Sequence, residues 1–454
     1  MAALQKRIEK LEAELRRKSR QTSRFSKDEK QTERKRAGRK PGHEGAFVAT
    51  PERIDEEAFS PLTACPQCGD RIGTVEDLEQ FVVDLPEVRP HVRRVVTQRG
   101  WCRCCRRTVR STHPWQTSTA GGMAKTSVGP RAHGMAAELK HRLGVPYRKV
   151  ADLMTSYFGL PVTHGAWVQG AARLAQRGAA SYAALVQDVQ HSAVVHTDDT
   201  GWRIDGESAW LWVFASATTT VYVVARSRGS DVVLETLGEN FAGTLVSDGL
   251  PALDTLHRKH GFTRAQCLGH LLFRAAEMAE EQTRGAVRFP RAVKALLKDA
   301  ITLAHRHDEL TPATHREYAR RIERRADRLL AAALSHPDNR RLRNHLANHR
   351  DQLFVSLYDA TVPPTNNLAE HELRGAVVTR KIGGCNRSDH HAQVHAVLAS
   401  VAQTAHRNGA TLAAHVADWM RIRPPPRRAP PAPFSLRADL LAAPRSPAPG
   451  FVLH

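Results

Sequence analysis

Two aspartates and a glutamate carry the clearest chemical potential in this sequence. Asp198 and Asp248 follow short apolar runs, Ala193 to His196 and Gly243 to Val246, in His196-Thr197-Asp198-Asp199-Thr200 and Ser247-Asp248-Gly249. If the two runs are neighbouring strands, their C-terminal ends bring the carboxylates together. Adjacent carboxylates repel, and without a cation one stays protonated. Mg2+ or Mn2+ relieves this, because hard cations prefer oxygen ligands. Two such ions about 3.5–4 Å apart would activate an attacking oxygen and stabilise a leaving one. Either aspartate alone reads as an ordinary turn residue. The third acid, Glu370, opens a helix carrying Arg374, Val377 and Lys381 at offsets of 4, 7 and 11, which share one helical face. A carboxylate beside two cations suits a metal-bound phosphodiester. Without the aspartates, the same face would be an exposed Glu–Arg pair worth about 0.3–0.5 kcal/mol.

Cysteines form the second group. Five of the seven lie between Cys65 and Cys105, in Cys65-Pro66-Gln67-Cys68 and Cys102-Arg103-Cys104-Cys105. Paired CxxC segments in a chain without a secretion signal read as metal ligands rather than disulfides. Cys65, Cys68, Cys102 and Cys105 suit tetrahedral, structural zinc, although the 33 residues between the pairs make a long spacer. Cys104 is then a spare. Cys267-Leu268-Gly269-His270 lacks ligand partners nearby in sequence, so it reads as a packed cysteine and a polar histidine at a strand end.

The elements that would position these residues follow from pattern. Strands are expected at 193–196, 209–215, 218–225, 243–246 and 264–268, with helices at 230–237 and 251–260. The order β-β-β-α-β-α-β is that of an RNase H-like α/β core. Residues 272 to 360 read as a helical insertion, and a helix from Leu368 onward completes the core, which spans 191–420. Upstream, 127–190 reads as helical. There Val150 to Phe158, Gly159-Leu160-Pro161 and a helix capped by Thr163 have helix-turn-helix spacing, which many helical hairpins share. Residues 60–115 hold the cysteines, with short strands expected at Phe81-Val82-Val83 and from His91 to Val96. At the start, Leu4, Ile8, Leu11 and Leu15 mark either a short coiled-coil seam or a solvated helix. A basic arm follows and closes 1–45, with twelve basic and three acidic residues from Arg16 to Lys40. Nine prolines between Pro424 and Pro449 imply a disordered tail over 421–454.

The 454 residues exceed one small core, and a formal net charge of +21 fits a polyanionic partner. No run of about 18 apolar residues and no signal-peptide core is present, which argues against a membrane partner.

The segments around the acids resemble the IS66 family of bacterial insertion-sequence transposases. The first is His196-Thr197-Asp198-Asp199-Thr200-Gly201-Trp202-Arg203 with Trp210-Leu211-Trp212-Val213; the second is Leu245-Val246-Ser247-Asp248-Gly249. Gln266-Cys267-Leu268-Gly269-His270-Leu271 is similar to the family's CxxH segment. Asn366-Asn367-Leu368-Ala369-Glu370-His371-Glu372-Leu373-Arg374, with Arg380-Lys381, is similar to its glutamate block. The N-terminal helix, the Arg39-Lys40-Pro41-Gly42-His43 segment and the CxxC module follow in the family's order, and the resemblance covers roughly residues 1 to 420. It implies a DDE transposase with Asp198, Asp248 and Glu370 as catalytic metal ligands. It implies double-stranded transposon ends and target DNA as substrates. Arg39, Lys40, Arg374, Arg380 and Lys381 would be DNA contacts, in a homo-oligomer assembled on DNA, with accessory proteins of the same element as further partners. The location implied is cytoplasmic and nucleoid-associated. Asp198-Asp199-Thr200 departs from the family's Asp-Glu-Thr, which leaves Asp199 as an alternative to Asp198. His371 and Glu372 also depart, and Glu372, about 200° around the helix from Glu370, should point away from the site. Two other readings stand beside this one. A catalytically silent DNA-binding regulator would not need the carboxylates. A structure-specific nuclease would not need the arm, the cysteine module or the insertion.

Overall fold

The structure, a computed structural model, describes residues 49–104, 106–117 and 126–421. The expected N-terminal seam, the basic arm with Arg39 and Lys40, Cys105 and the proline-rich tail lie outside the described residues. The chain divides into two units at Pro86/Glu87.

In the first unit, residues 49–86 form neither helix nor strand. The expected strand at Phe81-Val82-Val83 is therefore corrected: Val82 and Val83 are 83% and 70% exposed. The strand expected from His91 to Val96, in the second unit, is likewise missing, and Val92 is 85% exposed. An alternating pattern becomes a strand only where a partner completes the ladder and one face is buried. What does form is a short hairpin, β1 (Arg99–Cys102) with β2 (Arg107–Arg110).

The rest of the second unit is built on five strands. These are β3 (Val194–Ile204), β4 (Glu207–Ala215), β5 (Thr220–Ala225), β6 (Thr244–Ser247) and β7 (Thr263–Gln266), in spatial order β5-β4-β3-β6-β7. β3–β4 and β4–β5 are antiparallel, while β3–β6 and β6–β7 are parallel. Four helices precede the sheet: α1 (Pro130–His141), α2 (Tyr147–Phe158), α3 (His164–Arg177) and α4 (Ala179–Gln190). Two connect its strands, α5 (Ser230–Leu237) and α6 (Pro251–His260). After it come α7 (Leu268–Glu281), α8 (Arg288–Ala304), α9 (Pro312–Leu330), α10 (Pro337–Asn348), α11 (Asn367–Gly383), α12 (Asp389–Arg407) and α13 (Leu412–Trp419).

Strand alternation sends the β4 side chains to opposite faces. Trp212 and Phe214 join Val195, Val232, Leu245 and Leu253 in one core, beneath α5 and α6. Leu211 and Val213 join Ala369, Leu373 and Ala376 of α11 and Ala399 of α12 in another. Helices thus cover both faces, the arrangement that lets a mixed sheet be buried throughout. Helices α7 to α10 share a separate core around Leu296, Leu297, Ala300, Leu342 and Leu346. Upstream, Gly159 closes α2 at φ 59°, a left-handed conformation in which glycine is unstrained, and the Thr163 hydroxyl accepts the Ala166 N–H to cap α3.

Candidate active site

Asp198 lies inside β3 rather than beyond it. The parallel pairing of β3 with β6 ends at His196↔Val246, while the antiparallel pairing with β4 continues to Ile204↔Glu207. The sequence pattern caught only the half of the strand that β6 covers. Asp198 sits where the two ladders part, and Asp248 follows the last residue of β6. Burial pushes the Asp198 carboxyl up to about 7, and the charge of Asp248 adds to the shift. The Asp199 N–H, donating to Asp198 Oδ1 at 2.8 Å, offsets part of it.

Asp199 is engaged elsewhere: Arg228 Nε donates to its Oδ2 at 2.9 Å. Burial opposes the Arg228 charge, yet the hydrogen bond to Asp199 and the fields of Asp199, Asp248 and Asp198 raise its pKa above the ordinary value.

Glu370 stands in the first turn of α11, with Oε1 3.5 Å from His270 Nε2. The neighbouring Cys267 side chain, followed by the charges of Glu370 and Asp248, lifts His270 to about 9 against its partial burial. His270 in turn favours the ionised form of Asp198. One imidazole therefore couples electrostatically to all three acids.

Cys267 is packed at a strand end, as expected, and a distant acid adds a candidate ligand partner to it and His270. Gln266 ends β7, and Cys267 is the N-cap of α7, so Cys267 and His270 occupy N-cap and N3 of a helix and turn toward each other. Glu370 completes the group, with one ligand atom from each residue lying within 4.8 Å of the others. The partner lies about a hundred positions away, beyond the reach of local spacing.

Two bracing residues, Asn366 and Arg264, are not among the site residues expected from sequence. Asn366 is fully buried at the N-cap of α11 but does not cap it. Its Oδ1 meets His196 Nδ1 at 3.0 Å, its Nδ2 donates to the Thr197 carbonyl at 2.9 Å, and its N–H donates to Cys267 Sγ at 3.1 Å. One residue thus ties β3, the start of α7 and the start of α11. Arg264, its side chain wholly buried, donates to the Asp248 carbonyl at 3.0 Å and to Ser247 Oγ at 3.3 Å, and pairs with Asp254. His349 Nε2 reaches Asp254 at 3.0 Å. A charged residue at an inward strand position was the available hint of this network.

Glu372 faces away, as the helical angle requires. It is 3% exposed and accepts from Thr220 Oγ1 at 3.0 Å. Of the expected DNA contacts, Arg374 and Lys381 are exposed, whereas Arg380 clamps β3 through Thr200 Oγ1 at 3.3 Å and the Gly201 carbonyl. Cys65 and Cys68 lie in a tight turn, where Gly69 N–H donates to the Cys65 carbonyl at 2.8 Å. Backbone N–H groups of Gln67 and Cys68 lower the Cys65 pKa, which favours a thiolate. Cys102 ends β1 at the mouth of the β1–β2 turn.

A five-stranded mixed sheet with helices on both faces, carrying Asp198 on β3 within the electrostatic reach of Asp248 just after the neighbouring β6, is compatible with a DDE-type transposase domain. Residues 125–394 match the family model described as Transposase IS66 family, well over half of the chain, and the chain belongs to that family. No curated protein matches it. Among the described residues, no helix is long and apolar enough to cross a membrane.

Proposed function

We propose that the chain binds the terminal inverted repeats of an insertion sequence and catalyses metal-dependent strand cleavage and strand transfer with Asp198, Asp248 and Glu370. The observation that carries this is the family match over 125–394, in which Asp198 and Asp248 stand on and just after the neighbouring parallel strands β3 and β6. The strand order β5-β4-β3-β6-β7, antiparallel then parallel, supports reading the core as RNase H-like.

The donor set fits a hard divalent ion: Asp198 is held up to about 7 chiefly by burial and by Asp248, a penalty that a cation would remove. Mg2+ or Mn2+, when bound, would supply Lewis-acid activation of the attacking oxygen and stabilisation of the leaving one. Asp198, Asp248 and Glu370 would hold it. Arg264 and Asn366 fix the chain segments carrying those acids. Arg228 neutralises Asp199, which therefore serves as a brace rather than a ligand.

DNA affinity would come from the basic arm, the exposed Arg374 and Lys381, and α3, whose exposed face carries Gln169, Arg173 and Arg177. The CxxC pairs would bind structural zinc, a role favoured by the lowered Cys65 pKa. A silent DNA-binding regulator gives no use to a buried carboxyl held against another acid. The deciding experiment is cleavage of a duplex bearing the flanking inverted repeats, with and without Mg2+. Metal-dependent nicking at the repeat end is expected; binding without nicking would favour the regulator.

A further inference from the structure

We propose that Cys267, His270 and Glu370 form a second metal site, for a thiophilic ion of the zinc class, which shares Glu370 with the carboxylate centre. The ligand atoms lie within 4.8 Å of one another. Two of the three are fixed by the N-cap and N3 positions of one helix, and the Cys267 thiol is 2% exposed. His270 Nδ1 is buried and, among the described residues, makes no well-formed hydrogen bond. On the other side of the ring, Glu370 Oε1 stands 3.5 Å from Nε2, beyond the about 2.7–2.9 Å of a strong charge-assisted bond. Imidazole and carboxylate are thus close together without a strong bond between them, and both remain open to solvent on one side.

A thiolate, an imidazole and a carboxylate are a zinc-type donor set that leaves a fourth position open. Mg2+, which selects oxygen, would be poorly served by it, whereas Zn2+ or Co2+ would be bound well. Glu370 is a ligand common to both centres, so a zinc ion that holds it with Cys267 and His270 competes with the carboxylate centre for it and acts as a brake on Mg2+-supported cleavage. The brake rests on the proposed catalytic reading; the site itself does not.

The probe is Co2+, titrated into full-length wild type and the Cys267→Ser and His270→Gln variants. Serine can still accept the Asn366 N–H, so the fold is expected to persist, and circular dichroism checks it. The CxxC pairs are unchanged throughout, so the difference spectrum reports this site alone. Wild type should bind one more Co2+ than either variant, with a thiolate charge-transfer band absent from Cys267→Ser, or bind it at least about 100-fold more tightly, beyond the effect of losing an outer-shell partner. Identical stoichiometry and spectra would overturn the site. In the second arm, each protein's Mg2+-supported cleavage is measured as a ratio with and without added Zn2+. Inhibition of wild type that Cys267→Ser relieves supports the brake, and equal inhibition of both overturns it. If wild type cuts nothing with Mg2+, the catalytic reading fails while the cobalt result still decides the site.

Discussion

The acidic site and the cysteine-bearing segment are ordered by opposite means. Around Asp198 and Asp248, every strand has a partner and both sheet faces are covered. Buried Asn366 and Arg264 then fix the loops. Residues 49–104 and 106–117, by contrast, offer one hairpin and a series of exposed apolar side chains, with Leu78 93% and Leu85 89% exposed. A sheet with its own core needs no ion to fold, and metal there would serve reaction. A segment without a core depends on cross-links, and metal there would serve structure.

The largest expected effect breaks the first half of that comparison. Asp248→Asn should reduce Mg2+-dependent strand cleavage by about 10³-fold or more while thermal stability and repeat binding persist, because an amide keeps the shape but loses the ligand charge. Cleavage near the wild-type rate would remove Asp248 from the centre. Next, stripping metal from the cysteines should leave the sheet's melting transition in place while limited proteolysis of residues 49–117 accelerates about tenfold or more. Elemental analysis of freshly purified, reduced protein should find zinc; its absence would end the structural-zinc reading.

A third test uses pH. The Asp198 carboxyl titrates near 3.8 when unfolded and at about 7 when folded. The unfolded chain gives up its proton first as pH rises. Stability is therefore lost between about 4 and about 7 and stays lost above, by up to about 4 kcal/mol for metal-free protein. Asp198→Asn should flatten this part of the melting-temperature profile, and Mg2+ should raise the wild-type melting temperature more at pH 8 than at pH 5. A wild-type profile matching the variant would show that Asp198 is not strained. Fourth, Asn366→Ala should cost about 1–3 kcal/mol by orphaning buried partners, and lower kcat about 10–100-fold with little change in DNA affinity. Smallest is Glu372→Gln, expected within about threefold of wild type in cleavage, since this residue faces Thr220 rather than the site.

Legibility followed the range of the interactions. The five-strand order and both connecting helices were readable because apolar runs and turn residues are local. Asp198, expected just beyond its strand, lies within it, whereas Asp248 was readable as the residue closing a strand and Glu370 as one opening a helix. The far half of β3 was not, because Gly201 and Arg203 do not look like strand residues until β4 is laid beside them. The metal-donor group around Cys267 was missed because its third member comes from α11. Asn366 was visible only as part of a family-like segment; its spanning role depends on partners far away in the chain. The strands expected near Phe81 and His91 failed for the converse reason: the local pattern was present and no partner strand was.

The Asn366 bridge also has a consequence in time. Its contacts with His196 and Thr197 span 170 and 169 residues, and its contact with Cys267 spans 99. A ribosome making this chain completes all five strands long before residue 366 emerges, so the sheet can collapse early while the acids remain unaligned. A partial product ending before α11 would carry Asp198 and Asp248 without Glu370 or the bridge. Such a product would also lack the two helices that cover one face of the sheet, so on the proposed reading neither the ligand set nor its support exists until α11 and α12 have been added.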